Sequence, residues 1–174
     1  MNRKDSKEQK YLIIDSTAII HVISKEDFSD ENTTLVFPEI IRNEIQSFQA
    51  EAVFETLKAD NRLIFSIPTS KSIEKVESMA EKTCDVVSLS ETDLQVIAIA
   101  LDFPNSTVVS DDNAIQNVCF YLEIPIKSYS FKIRTARRYF WKCTVCGQKY
   151  KTKQNKCIEC GSPTTRLFVK KKLS

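Results

Sequence analysis

Two cysteine knuckles near the C-terminus constrain this chain more than any other feature. Cys143-Thr-Val-Cys146-Gly147 and Cys157-Ile-Glu-Cys160-Gly161 stand ten residues apart. Four thiolates at this spacing suit tetrahedral Zn²⁺, and the glycine after each second cysteine permits the tight turn that a knuckle needs. A module of about 30 residues cannot bury enough apolar surface to fold alone, so the metal supplies its folding energy. A site closed by Cys143, Cys146, Cys157 and Cys160 is structural rather than catalytic. The spacing therefore predicts a small zinc ribbon over residues 143–174. Disulfides are the alternative, but the leading MNRKDSKEQK is polar with no apolar core of a secretory signal. A cytoplasmic location is expected, where disulfides are disfavoured. Cys84 and Cys119 fall outside the pattern and are expected to be buried free thiols.

Upstream, strand-like and helix-like segments alternate. Tyr11–Ile14 is an apolar run suited to a strand buried on both faces. A turn and helix over Ser16–Ser24, a polar loop over 25–34 and a brief strand at Leu35–Phe37 follow. Pro38 suits the first position of a long helix, carrying Ile41, Ile45 and Phe48 at helical spacing. Arg62–Ile67 reads as a strand, Ser70–Thr83 as an amphipathic helix, and Asp85–Leu89 as a connector or short strand. Ser90 is positioned to cap the helix SETDLQVIAIALDF, with Asp93 at the reciprocal capping position. Thr107–Ser110 is a buried strand, Asn113–Leu122 a helix and Ile124–Tyr129 a last strand. Such alternation implies an α/β domain with a central parallel sheet and helices on both faces. The expected organisation is a disordered lead-in over 1–10, the α/β domain over 11–130, a basic and aromatic linker over 131–142, and the ribbon.

Composition prunes the chemistry. The chain has two glycines, Gly147 and Gly161, both in the knuckles, so neither a P-loop nor a dinucleotide-binding glycine turn can be built beside an early strand. With a single histidine, His21, a two-histidine nuclease centre is excluded, and no nucleophile elbow is present. No apolar run approaches the ~18 residues of a membrane span. The net charge of +2 hides a division: residues 126–174 carry 14 Lys and Arg against one acid, and the rest of the chain carries 11 against 22. An acidic body with a basic tail points to a nucleic-acid partner.

Acids at four positions fall where this topology brings them toward one edge. Asp15 ends the first strand, and Asp111-Asp112 end the Thr107–Ser110 strand; Asp93 lies in the first turn of its helix, and Glu44 flanks the Ile40–Ile41 stripe. Each alone is equally a cap, a turn residue or a surface acid. Together, with no basic partner nearby in sequence, they repel one another unless a divalent cation lies between them. Mg²⁺ favours such carboxylate and water oxygens, and one or two such ions activate water and stabilise the leaving oxygen at a phosphodiester.

The motifs IIDST (Asp15), PEIIRNE (Glu44), SETD (Asp93) and VVSDD (Asp111, Asp112), in this order, resemble the PIN-domain nucleases over about residues 10–130. That resemblance implies a metal-dependent endoribonuclease with a quartet of Asp15, Glu44, Asp93 and Asp112, with Asp111 an auxiliary carboxylate. Asp15, Asp93 and Asp112 would hold Mg²⁺ or Mn²⁺. A PIN-like domain followed by a zinc ribbon, the DNAIQNV segment (Asp112–Val118) and the basic FWKC lead into the ribbon are similar to the NIN-one-binding protein family, in its compact archaeal-like form. The resemblance implies maturation of the 3′ end of small-subunit ribosomal RNA, leaving a 3′-hydroxyl and a 5′-phosphate, with precursor rRNA and the pre-ribosomal particle as partners.

Lys132, Arg134, Arg137, Arg138, Lys142, Lys149, Lys151 and Lys153 are interleaved with Tyr139, Phe140 and Trp141. The cations suit phosphates, and the aromatic faces either stack on unpaired bases or pack the ribbon against the first domain. Two rival functions stay open: a non-catalytic rRNA-binding assembly factor, and a PIN-type toxin ribonuclease, a class that usually lacks a zinc ribbon.

Overall fold

The computed structural model describes residues 9–18, 32–43, 55, 58–59 and 61–172. Among these, five parallel strands form one sheet in the order β3-β2-β1-β4-β5: β1 (Lys10–Ile14), β2 (Thr33–Pro38), β3 (Leu63–Ser66), β4 (Ser106–Val109) and β5 (Ile126–Lys127). All six residues of β2 are buried, which accounts for its unbroken TTLVFP composition. Side chains alternate across the sheet. Ile13, Val36 and Val108 face a core shared with three helices, α1 (Ser70–Thr83), α2 (Glu91–Asp102) and α3 (Asn113–Tyr121). Ile14, Leu35, Phe37 and Val109 face the opposite core with Ala18 and Ile41.

Local signals set the helix boundaries. Thr69 caps α1, and its hydroxyl and amide both reach the Asp102 carboxylate, which also accepts from the Ser72 hydroxyl at 2.6 Å. The start of α1 is thereby tied to the end of α2. At its other end α1 closes in a Schellman arrangement, with Cys84 N–H bonded to Glu81 O and Asp85 N–H to Ala80 O. The residue that turns left-handed there is Cys84, at φ +58°. With no glycine before residue 147, the turns at Asn61 and Asn105 use asparagine for the same purpose.

The second sheet has the order β7-β6-β8, with β6 (Thr135–Cys143), β7 (Lys149–Tyr150) and β8 (Thr164–Lys172) all antiparallel. Most of the segment expected to be a linker, 131–142, is therefore strand: β6 pairs residue for residue with β8, from Thr135 opposite Lys172 to Cys143 opposite Thr164. Alternation of Ala136, Arg138, Phe140 and Lys142 with Arg137, Tyr139, Trp141 and Cys143 is what a two-faced strand requires, and Ala136 and Trp141 are buried. Helices α1 and α3 pack against β6. Asn117 fixes that contact by donating to Arg137 O at 2.8 Å and accepting from Arg137 N–H at 2.7 Å.

Other boundaries move as well. Pro38 is the last residue of β2 rather than the first of an α-helix, and a 3-10 turn, Glu39–Asn43, follows it. The strand expected over Ile124–Tyr129 reduces to Ile126–Lys127, and Asp85–Leu89 is a turn. Lys10 already belongs to β1, opposite Thr33. A 3-10 turn, Ser16–Ala18, follows β1. Glu44, His21, the lead-in before residue 9, the loop over 25–31, and most of the helices expected after Ser16 and Pro38 lie outside the described residues.

Candidate active site

In this strand order the chain runs outward from β1 to β3 and then returns to β4 on the other side of β1. The crevice beyond the carboxyl ends of β1 and β4 is thus the topological switch point, where open parallel sheets bind ligands. Asp15 N–H donates to Val109 O, which extends the β1–β4 seam one residue past the strands. The Asp15 side chain is only 2% exposed. Its carboxylate accepts from the Ser110 hydroxyl at 2.8 Å and the Thr17 hydroxyl at 2.6 Å. Ser110 Oγ accepts in turn from Asp112 N–H at 3.0 Å, so one hydroxyl joins two of the expected acids.

Asp112 caps α3, its Oδ1 accepting from Ala114 and Ile115 N–H at 2.6 and 3.0 Å. Asp93 completes the capping box of α2: Ser90 N–H donates to its Oδ2 at 2.7 Å, and Asp93 N–H donates to Ser90 Oγ. Helix α2 packs across β1, β2 and β4 and leads directly into β4, so its N-terminus opens on the carboxyl edge where α3 begins. Two helix N-termini on one edge favour negative charge, whether carboxylate or phosphate.

Asp112 Oδ2 and Asp93 Oδ1 have no hydrogen-bond partner among the described residues, and no lysine or arginine there pairs with Asp15, Asp93 or Asp112. A buried carboxylate held only by neutral hydroxyls, with acids bearing unused oxygens at the same edge, is a donor set that fits a divalent cation. These carboxylates do not themselves form a compact three-ligand cluster: among the described residues only the cysteines do.

Asp111 is tied to the segment that follows β5. Its Oδ1 accepts from the backbone N–H groups of Tyr129, Ser130 and Phe131 at 2.9, 2.9 and 3.3 Å. Partial burial opposes its ionisation, but the amides of Ser130, Phe131 and Tyr129 outweigh it and hold the carboxyl below its usual range. Asp111 therefore folds the 129–131 loop over the end of the sheet.

In the ribbon the sulfurs of Cys143, Cys146, Cys157 and Cys160 all lie within 4.8 Å of one another. The Cys143–Cys160 and Cys146–Cys157 separations are 3.5 Å, close to the ~3.8 Å edge of a tetrahedron built on zinc–sulfur bonds of about 2.3 Å. Val145 and Cys146 N–H both point at Cys143 Sγ at 3.4 Å. Gly147 and Gly161 sit at φ +77° and +71°, where a side chain would be strained. The set fits a tetrahedral metal.

Residues 12–103 match the family model described as PIN domain of ribonuclease. A protein named Endoribonuclease Nob1 from Methanocaldococcus jannaschii is 32% identical over 168 residues, covering 94% of this chain and 81% of the relative. The chain belongs to the Nob1 family of PIN-domain endoribonucleases. Endoribonuclease Nob1 from Pyrococcus abyssi is 27% identical, covering 87% of this chain and 90% of its own. A protein named Ribonuclease VapC1 from Thermoplasma acidophilum is 29% identical, covering 93% and 85%. Like its family, this chain is an endoribonuclease, and PIN nucleases generally use divalent metals.

The Nob1 architecture places the expected RNA-binding residues in three groups. Lys132 and Arg134 are exposed on the segment before β6. Arg137 stacks on Phe168 at 4.9 Å, Arg138 reaches toward Tyr121 at 5.9 Å, and Lys149 covers Phe140 at 5.4 Å. Lys151 and Lys153 are exposed and Lys142 half-buried. Arg138, Lys149 and Lys151 line a cleft of about 520 Å³ between the ribbon and the end of α1. Of the aromatics, Trp141 is buried and Tyr139 lies between Arg166 at 3.8 Å and Phe168 at 5.8 Å, so both are used in packing.

Asp85 and Arg166 carry no motif in the sequence. Asp85 is 2% exposed, accepts from Asn117 Nδ2 at 2.5 Å, and lies 3.7 Å from Arg166 of β8. Burial raises its pKa, against the lowering effects of Asn117, Thr83 and Arg166. Arg166 also donates to Cys84 O and Ser88 Oγ, and Cys84 Sγ donates to Lys151 O. The turn that carries Asp93 into α2 is thus bolted to the ribbon. An acid after a helix with no partner in sequence gives no local signal of such a role.

Proposed function

We propose that this endoribonuclease cleaves precursor rRNA to generate the 3′ end of small-subunit rRNA, acting on a pre-ribosomal particle in the cytoplasm. The Asp15–Ser110–Asp112 linkage at the switch point carries the reading of the site, and the names and coverage of the Nob1 relatives support the substrate. Asp15, Asp93 and Asp112, with Glu44, would hold Mg²⁺ or Mn²⁺, and Zn²⁺ would occupy the four cysteines. A divalent ion at such a site lowers the pKa of bound water and neutralises charge on the phosphate. The protein contributes position: Ser110 and Thr17 orient the Asp15 carboxylate, and the N-termini of α2 and α3 favour the phosphate. Lys132, Arg134, Arg137, Arg138, Lys142, Lys149, Lys151 and Lys153 are the proposed RNA-binding cations, of which the exposed ones are free to reach phosphates.

The test is cleavage of an RNA spanning the small-subunit 3′ end, with the product ends mapped. A single cut at the mature end, abolished by EDTA, is expected. Random degradation, or full activity in EDTA, contradicts the reading. The match to a protein named Ribonuclease VapC1 favours a second reading, a toxin-like ribonuclease directed at other RNAs; growth arrest on overexpression, with normal rRNA ends on depletion, would support it.

A further inference from the structure

We propose that Phe131 is a stacking platform for one unpaired base beside the cleavage edge, with Lys132 and Arg134 holding the adjacent phosphates. The inference rests on the reading of the substrate as precursor rRNA and assigns to it a subsite for one unpaired nucleotide. Its basis is a segment whose backbone is held by hydrogen bonds and on which the side chains of Phe131, Lys132 and Arg134 make no ring contact or ion pair among the described residues.

Three successive N–H groups, from Tyr129 to Phe131, converge on the single oxygen Oδ1 of Asp111. Immediately afterwards, Gln116, fully buried, donates through Nε2 to Phe131 O at 2.7 Å and accepts through Oε1 from Ile133 N–H at 2.9 Å. The same Nε2 lies 3.3 Å from Ser110 O. The backbone of Phe131 is therefore one side chain away from the residue that joins Asp15 to Asp112. Such pre-organisation lowers the ordering cost of a binding loop.

On this segment Phe131 is 55% exposed. It stacks on no other aromatic ring or cation among the described residues, unlike Tyr139, Phe140 and Phe168. Lys132 and Arg134 are exposed on either side of Ile133, and among the described residues neither forms an ion pair. With Ser130 and Ile133 these side chains line an open groove of about 590 Å³. A single flat apolar ring flanked by cations matches one nucleotide of a single strand, with a base on the ring and phosphates on the cations.

The experiment uses the full chain and short single-stranded oligoribonucleotides spanning the proposed cleavage site, with 2-aminopurine placed in turn at positions flanking the scissile phosphate. Binding is read by fluorescence without added divalent metal, so that cleavage is not required. Quenching at one position is expected in the wild type, lost in Phe131→Ala, restored in Phe131→Trp and not restored in Phe131→Leu. With metal present, kcat/KM should fall about ten-fold or more in the Ala and Leu variants, with the unfolding midpoint unchanged. Equal quenching in wild type and Phe131→Ala, equal behaviour of the Leu and Trp variants, or no RNA binding by the wild type would overturn the proposal. Phe131-dependent quenching with no cleavage would leave the platform standing and remove the substrate reading. Cleavage with quenching independent of Phe131 would do the reverse.

Discussion

Ser110 donates its hydroxyl to the buried Asp15 carboxylate across the β1–β4 seam at 2.8 Å. The two residues are 95 apart in sequence and meet because β1 and β4 pair in parallel, Ile14 opposite Val109. Ser110 is 1% exposed and also receives Asp112 N–H, so its orientation is set from both sides. Removing the hydroxyl leaves a buried carboxylate short of a donor. Ser110→Ala should cost about 1.5–3 kcal/mol, the range for hydrogen bonds to charged groups. Urea unfolding of both proteins measures it, and a change below ~0.5 kcal/mol would show that Asp15 is not stabilised through Ser110.

Asn117 joins three elements: α3, the Asp85 turn and β6. Asn117→Ala removes all three bonds and leaves Arg137 N–H and O and the Asp85 carboxylate short of partners. A loss of about 2–4 kcal/mol is expected. Hydrogen exchange separates its parts, because the amide of Arg137 should lose protection more than those of β1. Equal loss in both would mean that Asn117 serves the core and not the attachment of the ribbon.

Acid should weaken the protein in part through Asp111 and Asp102. In both, hydrogen-bond donors outweigh burial and hold the folded-state pKa below the unfolded one. Their contribution is present above the unfolded value of about 3.9 and is lost as pH falls through the folded value. Asp85 works in the opposite sense, since burial raises its pKa and its ionisation costs stability as pH rises. In urea titrations, Asp111→Asn should lose stability near neutral pH and show a shallower decline below about pH 4 than the wild type. Parallel curves would contradict the role assigned to Asp111.

Chelation should act on one sheet before the other. With the tetrahedron of sulfurs emptied, the β6–β8 ladder loses the closure at Cys143, Cys146, Cys157 and Cys160. Amide exchange should rise in β7 and at the Cys143 end of β6 and β8, while β1, β2 and β4 keep their protection. Cys157→Ser should reproduce the effect and lower bound zinc, read by elemental analysis. Unchanged exchange would show that the four cysteines need no metal to fold.

What the sequence disclosed was what local chemistry determines. The Ser90–Asp93 capping box is a relation three residues long, and it stands as expected. So does Ser70–Thr83, whose apolar stripe at helical spacing supplies Val76 and Ala80 to the core. Strand β6 was hidden because its partner begins 21 residues after Cys143, at Thr164, and its cations resemble a solvated linker. Pro38 suits the start of a helix locally, yet β2 pairs beyond it: Pro38 lies opposite Ser66. Among the acids, Asp15 and Asp112 could be aligned because both follow strands of one parallel sheet, but Ser110 between them could not. Asp111 beside Asp112 in sequence reads as an auxiliary carboxylate, and only the position of residues 129–131 shows it bonded to the loop.

The central claim is that the Asp15 edge is the cleavage site, and Asp15→Asn tests it most directly, because the amide keeps the side chain's size and removes its charge. The measurement is the Mn²⁺-dependent cleavage rate of an RNA spanning the small-subunit 3′ end, with variant and wild type compared at equal folded fraction. The account predicts a fall on the order of 10²-fold or more, with RNA binding retained through the basic face. Cleavage by Asp15→Asn at the wild-type rate would contradict it.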